Sequence, residues 1–188
     1  MQLNSGHTAL LSIDLQQGIV GRELAPRSGE QVVADTRALA ARFRQAGALV
    51  INVRVSWHDD LGDTPPANVD EPLQLPEGGV PADFVRFVDG VMQPGDLEIV
   101  KRQWGAFHGT ELDLQLRRRG ISTLVIGGIA TNFGVESTVR DAWEHGYDVV
   151  VPEDLCATMS KPMHDMAIAK IFPRLARVTN AAALELID

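Results

Sequence analysis

Two rhythms of apolar residues alternate along the chain. "TALLSID", ending at Asp14, is a continuous apolar run closed by an acid, the pattern of a strand buried on both faces whose last residue emerges at the sheet edge. In "GEQVVADTRALAARFRQAG", Val32, Val33, Leu39, Ala40 and Phe43 recur at helical spacing, and Gly47 follows as a C-cap. "ALVINVRVS" predicts a second strand and "DLEIVKRQ" a third. "TELDLQLRRRG" predicts a short helix with Leu112 and Leu116 on its apolar stripe and Gly120 past its end. "STLVIGGIA" predicts the fourth strand, and a helix runs from about Phe133 to Glu144. "YDVVVPEDLCA" is then the fifth strand, "KPMHDMAIAKIFPRLA" is helical, and "RVTN" is a short sixth strand before a C-terminal helix.

Strands that alternate with helices form right-handed βαβ units, and such units build a parallel sheet. The expectation is one domain over residues 1–188, α/β in class, a three-layer α/β/α Rossmann-like sandwich with a mostly parallel six-stranded sheet. Ligands then bind at the carboxyl ends of the strands. From Trp57 to Gly95 the text is irregular and rich in Pro, Gly and Asp, a length that points to a functional lid or an oligomer contact.

Charge and cysteine usage narrow the function classes. The net charge of −8 repels phosphate backbones and anionic lipid, so neither nucleic acid nor membrane is an expected partner. Cys156 is the single cysteine, which rules out an internal disulfide, and no paired Cys/His spacing suggests structural zinc. The start "MQLNSGHTALLSIDL" has no basic region before its short apolar run. The expected location is cytoplasmic.

The predicted topology delivers Asp14, Ser56, Trp57, His58, Lys101, the "GGIATNFG" turn, Glu153, Asp154 and Cys156 to one edge. An acid, a lysine and a glycine-bearing helix start supply proton transfer, charge stabilisation and N–H donors. Plainer readings stand beside this one. Asp14 could cap a turn, Lys101 and Arg102 could be a solvated pair, and the glycines could serve close packing. Trp57 and Trp104 wall a pocket or fill the core. Cys156 reads as a small buried hydrophobe, and Glu136 with Arg140 as an i, i+4 ion pair.

Together, "IDLQQG", "VKRQWGAFHGTEL" and "GGIATNFGVESTVRDAWEHGYDVVVPEDLCAT" resemble, in order, the three sequence blocks of the isochorismatase-like hydrolases. The whole chain looks most like the bacterial YecD-type members. In the cysteine hydrolases of that superfamily an Asp-Lys-Cys triad places its nucleophile at the helix start, where this chain has Gly134. Glycine excludes acyl-enzyme chemistry through that position. The isochorismatases themselves resemble Asp-Lys enzymes without the thiol, and they cleave a vinyl ether. The resemblance therefore implies catalytic roles for Asp14 as general acid, Lys101 and Gly134, with the Ala130 and Gly134 N–H groups as an oxyanion hole behind a cis Ile129–Ala130 peptide. It places Gln16, Trp57, Trp104, Phe107, Ala130, Thr131 and Asn132 about a small, anionic substrate. It also implies a homodimer or higher homo-oligomer and no cofactor.

Two departures qualify the substrate. Thr131 and Asn132 stand where isochorismatases carry Ala-His, and Ser56 stands where nicotinamidases carry a metal-binding aspartate, so no catalytic metal is expected. A second function class, a small-molecule-binding or regulatory homologue that kept the pocket and lost the chemistry, is motivated by Gly134 itself. A third reading, that a mutation replaced cysteine, is less economical than the isochorismatase precedent.

Overall fold

The unbroken run of the first block becomes a central strand because both of its faces are covered. The computed structural model describes residues 1–66, 68–73 and 79–188. After β1 (Gln2–Asn4) comes β2 (Thr8–Ile13), every residue of which is buried, then α1 (Gln17–Val20) and α2 (Gly29–Gln45). The sheet continues with β3 (Leu49–Val55), β4 (Leu97–Lys101), β5 (Thr123–Ile129), β6 (Asp148–Pro152), β7 (Cys156–Ala157) and β8 (Arg177–Thr179). Its order is β4-β3-β2-β5-β6-β8, with β7 against the end of β5, and all these pairings are parallel.

Period-two alternation sorts the strand residues into two layers. Leu11, Ile13, Ile51, Val53 and Ile126 pack with Leu112 and Leu116 of α3 (Leu112–Arg118) and with Val139 and Ala142 of α4 (Glu136–Glu144). Their neighbours Leu10, Val50, Val125 and Val150 pack on the other side with Leu39, Ala40 and Phe43 of α2. Each fully buried side chain of this size contributes roughly 1.5–3 kcal/mol over leaving it exposed. Helix α2 starts where the Ser28 hydroxyl accepts from the Gln31 N–H at 3.2 Å, and it stops at Gly47, whose φ of +70° lies in the left-handed region.

The α/β class and the mostly parallel sheet agree with the sequence pattern, but details differ for physical reasons. The predicted fifth strand is broken by a 3-10 turn at Glu153–Leu155 and resumes as β7, so the sheet has seven strands instead of six. The predicted helix after Ser160 is α-helical only through α5 (Lys161–Met166). It then passes through a π-helical turn, Ala167–Ile171, and a 3-10 turn, Phe172–Arg174. Pro173 has no N–H to continue the ladder and disfavours a helical residue before it.

The expected C-terminal helix is instead a 3-10 turn, Ala181–Ala183, followed by β9 (Glu185–Ile187), which pairs in parallel with β1. Leu184 and Leu186, two apart with an acid between them, both pack beside α2, which is strand spacing. The described part of the long irregular segment returns over the end of β2. There Gln17 donates to the Arg86 carbonyl at 2.8 Å and Val88 to that of Leu15 at 3.0 Å. No helix of the described residues is long and apolar enough to cross a membrane.

Candidate active site

Strand order explains why an acid and a lysine far apart in sequence meet. Asp14 follows β2 and Lys101 ends β4, with β3 between them, so their backbones sit roughly 10 Å apart. The lysine stem spans that gap across the rim. Lys101 Nζ lies 2.8 Å from Asp14 Oδ2 and donates to the Trp104 carbonyl at 2.6 Å. Both residues are buried. Asp14 is turned into place by a left-handed backbone, φ +56°, while its N–H donates to the Val53 carbonyl at 2.9 Å.

Two influences oppose each other at Asp14. Burial pushes its carboxyl above the ordinary carboxylate range, and the pull of the Lys101 ammonium in the other direction does not cancel that rise. Among the described residues, its second oxygen, Oδ1, is buried without a hydrogen-bond partner. A lone buried carboxylate oxygen is costly, and a proton on the carboxyl or a donor from a ligand relieves it.

The turn after β5 completes the floor. The Ile129–Ala130 peptide is cis, and Thr131–Val135 forms a single π-helical turn before α4. At Gly128, φ is +132° and any Cβ would run into the backbone of Ile13, so only glycine lets β5 lie this close to the end of β2. Gly134 matters differently. A Cβ there would lie 3.2 Å from Asp14 Oδ2 and 3.3 Å from Lys101 Nζ. The residue that lacks a side chain is thus the one whose side chain would touch both members of the pair.

Other side chains of the turn hold it from behind. Thr131 Oγ1 lies 2.9 Å from His164 Nδ1, and Asn132 Oδ1 accepts from the Thr158 hydroxyl at 2.6 Å. The Gly134 carbonyl accepts from Thr138 at 2.7 Å. Burial lowers the pKa of His164, against the opposing hydrogen bond and charge of Glu153 and the charge of Asp165, with Arg27 adding to the lowering. The unfolded imidazole takes its proton near pH 6.5, so the contribution of His164 is complete above that pH and is lost as pH falls through the folded pKa. We expect the thermal midpoint of the wild type to fall more steeply between about pH 7 and pH 5 than that of His164→Gln, read by circular dichroism. Equal slopes would show that His164 is not held neutral.

Above this floor is a cavity of about 260 Å³ bordered by Asp14, Lys101, Ala130 and Gly134 below and by Trp57, Phe84, Trp104 and Phe133 at the sides. Trp104 meets Phe133 edge to face with ring centres 4.8 Å apart, and Trp57 Nε1 donates to the Arg102 carbonyl at 2.8 Å. A larger depression of about 440 Å³ lies at the opposite edge of the sheet, but its Arg44 and Asp96 are already paired at 2.7 Å.

Of the substrate neighbours expected from sequence, Trp57, Trp104 and Ala130 line this cavity, whereas Gln16, Phe107, Thr131 and Asn132 do not. Each of the four has another occupation. Gln16 clamps Val55, donating to its carbonyl at 2.9 Å and accepting from its N–H at 2.8 Å. Phe107 packs in the core, stacked on His145 at 5.0 Å and tilted against Tyr147 at 5.9 Å. Thr131 and Asn132 spend their side-chain oxygens on the tethers just described.

Arg22, Phe84, Phe133 and Met159 also border the cavity and were not singled out from sequence. Phe133 lay within the quoted turn; the others sit in segments without periodic signal. Cys156 is buried with its Sγ 3.6 Å from the Pro152 carbonyl, and burial pushes its thiol up to about 12. Glu136 and Arg140 pair along α4 at 2.9 Å. Among the described residues, no three His, Cys, Asp or Glu side chains converge as a metal would require.

The sequence model of the isochorismatase domain matches residues 8–183. The chain belongs to the isochorismatase family. Among relatives in that family, the isochorismatase family protein YecD of Escherichia coli O157:H7 is 45% identical over 181 residues, covering 96% of this chain and 95% of that protein. A solved isochorismatase family protein from Burkholderia thailandensis superposes with a TM-score of 0.92 at 43% identity, over 97% of this chain and 95% of that one. The N-carbamoylsarcosine amidase of Thermoplasma acidophilum superposes with a TM-score of 0.72 at 25% identity, over 95% and 98% of the two chains. Isochorismatase-family membership and hydrolase neighbours of this kind support a hydrolase function.

Proposed function

We propose that this isochorismatase-family protein hydrolyses a small anionic molecule, a vinyl ether in the favoured case, with Asp14 as general acid and water as nucleophile. One observation carries the reading. The burial-raised carboxyl of Asp14 touches Lys101 beside the one backbone position whose missing side chain would have covered both. The chemistry follows from those groups. Asp14 protonates the terminal enol carbon, water adds to the oxocarbenium carbon, and the proton released by that water returns to Asp14. The hemiketal C–O bond then breaks as the hydroxyl proton passes to the departing oxygen, giving a ketone and an alcohol. Lys101 stabilises Asp14 in its transient carboxylate form, and N–H groups at Ala130 and Gly134 receive the negative charge that builds on the departing ether oxygen as the hemiketal collapses.

A panel of vinyl ethers, amides and ureido compounds, followed by product analysis, tests this reading. Turnover of a vinyl ether supports it. Saturable binding of a panel member that is recovered unchanged after long incubation would favour the silent homologue instead, the reading that Gly134 motivates.

The space at Gly134 gives a further expectation. In Gly134→Ala the new methyl presses on Asp14 Oδ2, Lys101 Nζ and Ile13 Cγ2, the last at 3.1 Å. The pair must shift by a few tenths of an ångström, and kcat/KM of the turned-over substrate is expected to fall about tenfold or more, since small misplacements are costly in catalysis. Kinetics of the alanine variant at unchanged thermal midpoint provide the measurement. Full activity would mean that the open space at Gly134 is not used.

A further inference from the structure

Three cations border the cavity, and two of them are already committed. Lys101 is bound to Asp14 and to the Trp104 carbonyl. Arg102 pairs with Asp63 at 2.5 Å and donates to the Ser56 carbonyl at 2.7 Å. Arg22 differs. Its Nε donates to the Gly18 carbonyl at 3.3 Å, and among the described residues neither of its terminal nitrogens has a hydrogen-bond partner and no carboxylate pairs with it. Among the described residues, Arg22 is thus the one of the three cavity cations that no carboxylate pairs with.

The local build also holds this arginine in place. Arg22 lies two residues past the end of α1, where its Nε reaches back to the Gly18 carbonyl. The ring of Phe84 occupies the space that a side chain on Gly18 would need, and the Arg22 guanidinium lies 5.9 Å from the centre of that ring. The aromatic ring lies to one side of the planar group, and among the described residues its two terminal nitrogens have no partner. A planar fork of N–H donors matches a carboxylate bidentately.

The rest of the cavity restricts what carries that carboxylate. Trp57, Phe84, Trp104 and Phe133 present ring surface, and Ile19, Leu73 and Met159 add apolar surface. Scaled from an apolar cavity of roughly 150 Å³ that takes benzene, a volume of about 260 Å³ suits a molecule of roughly ten non-hydrogen atoms.

Resting on the reading of this cavity as the hydrolytic site, we propose that Arg22 is a specificity residue that receives the carboxylate of a flat, unsaturated or aromatic monocarboxylic acid. The guanidinium fork holds the acid group, the rings hold the flat body, and the reactive end of the molecule is delivered to Asp14.

Isothermal titration with benzoate and 3-phenylpropionate, against benzamide and 3-phenylpropionamide as uncharged counterparts, tests the assignment. The wild type is expected to bind at least one carboxylate about tenfold more tightly than its amide, Arg22→Gln to lose that preference, and Arg22→Lys to keep part of it. Arg22 is exposed, so both variants should fold with an unchanged circular dichroism spectrum. Absence of a preference in the wild type, an undiminished preference in Arg22→Gln, or no saturable binding of either carboxylate at millimolar concentration would overturn the assignment.

The Asp14→Asn variant separates this inference from the functional reading. Loss of the carboxylate preference in Arg22→Gln together with unchanged turnover in Asp14→Asn leaves Arg22 in its role and removes Asp14 from its own. Loss of turnover in Asp14→Asn together with a persisting preference in Arg22→Gln removes Arg22 alone.

Discussion

Asp14→Asn is expected to lower kcat/KM for the turned-over substrate about a thousandfold, within the range that a positioned general acid contributes. Asparagine is the informative replacement because it tolerates the left-handed backbone that Asp14 adopts, so the chain around it has no reason to move. The variant should therefore keep the circular dichroism spectrum and thermal midpoint of the wild type within a few degrees. The pH profile supplies an independent check. A general acid works in its protonated form, and burial raises the folded pKa of Asp14, so wild-type activity should be full at lower pH and decline as pH rises through that pKa. The asparagine variant should lack this alkaline limb in its residual activity. Retained turnover in Asp14→Asn would remove Asp14 from the chemistry altogether.

Lys101→Met is expected to damage both activity and stability. Methionine fills much of the lysine stem's space but leaves Asp14 Oδ2 without its 2.8 Å partner. Removing one member of a buried pair strands the other charge and costs about 3–5 kcal/mol. With the ammonium gone, burial is opposed only by the Val55 backbone N–H, so the folded pKa of Asp14 rises further. A group whose folded pKa exceeds its unfolded value contributes stability that is present at low pH and lost as pH rises through the folded pKa. The deficit of the methionine variant should accordingly be largest at neutral and alkaline pH and should shrink on acidification, as Asp14 takes a proton and the stranded charge disappears. Urea denaturation at acidic and alkaline pH measures this directly. Turnover should fall about a hundredfold, with the alkaline limb displaced to higher pH. A pH-independent deficit would point to packing as the main role of Lys101.

Legibility of the fold from sequence tracked how strongly each segment was periodic. "TALLSI" and "LVINVRV" were legible as strands because burial on both faces demands unbroken apolar runs, and α2 because its apolar stripe repeats at helical spacing. The last eight residues were not, because Ala and Leu favour a helix locally. What makes Glu185–Ile187 a strand is the edge offered by β1, nearly the whole chain length away. The break at Glu153–Leu155 is likewise set by where the chain must rejoin the sheet beside Gly128.

The site divides along the same line. Asp14, Lys101 and Gly134 are brought together by strand order, which alternation of elements makes readable. Gln16, Phe107, Thr131 and Asn132 lie within the same blocks, yet a block says only that a residue is near the site, and these four face the backbone, the core or the tethers of the turn. Arg22 and Phe84 come from segments whose meeting is fixed by the absence of a side chain at Gly18, a contact that no pattern along the chain announces.

Because the carboxylate and the ammonium stand on strands that are not neighbours, their encounter depends on two ladders at once, Ile13 opposite Val53 and Val55 opposite Lys101. A slip of one residue in the second ladder would turn the lysine to the other face of the sheet while leaving much of the backbone bonding intact. Recovered hydrolysis after refolding would thus report correct alignment of three strands, something that a restored far-ultraviolet spectrum alone does not.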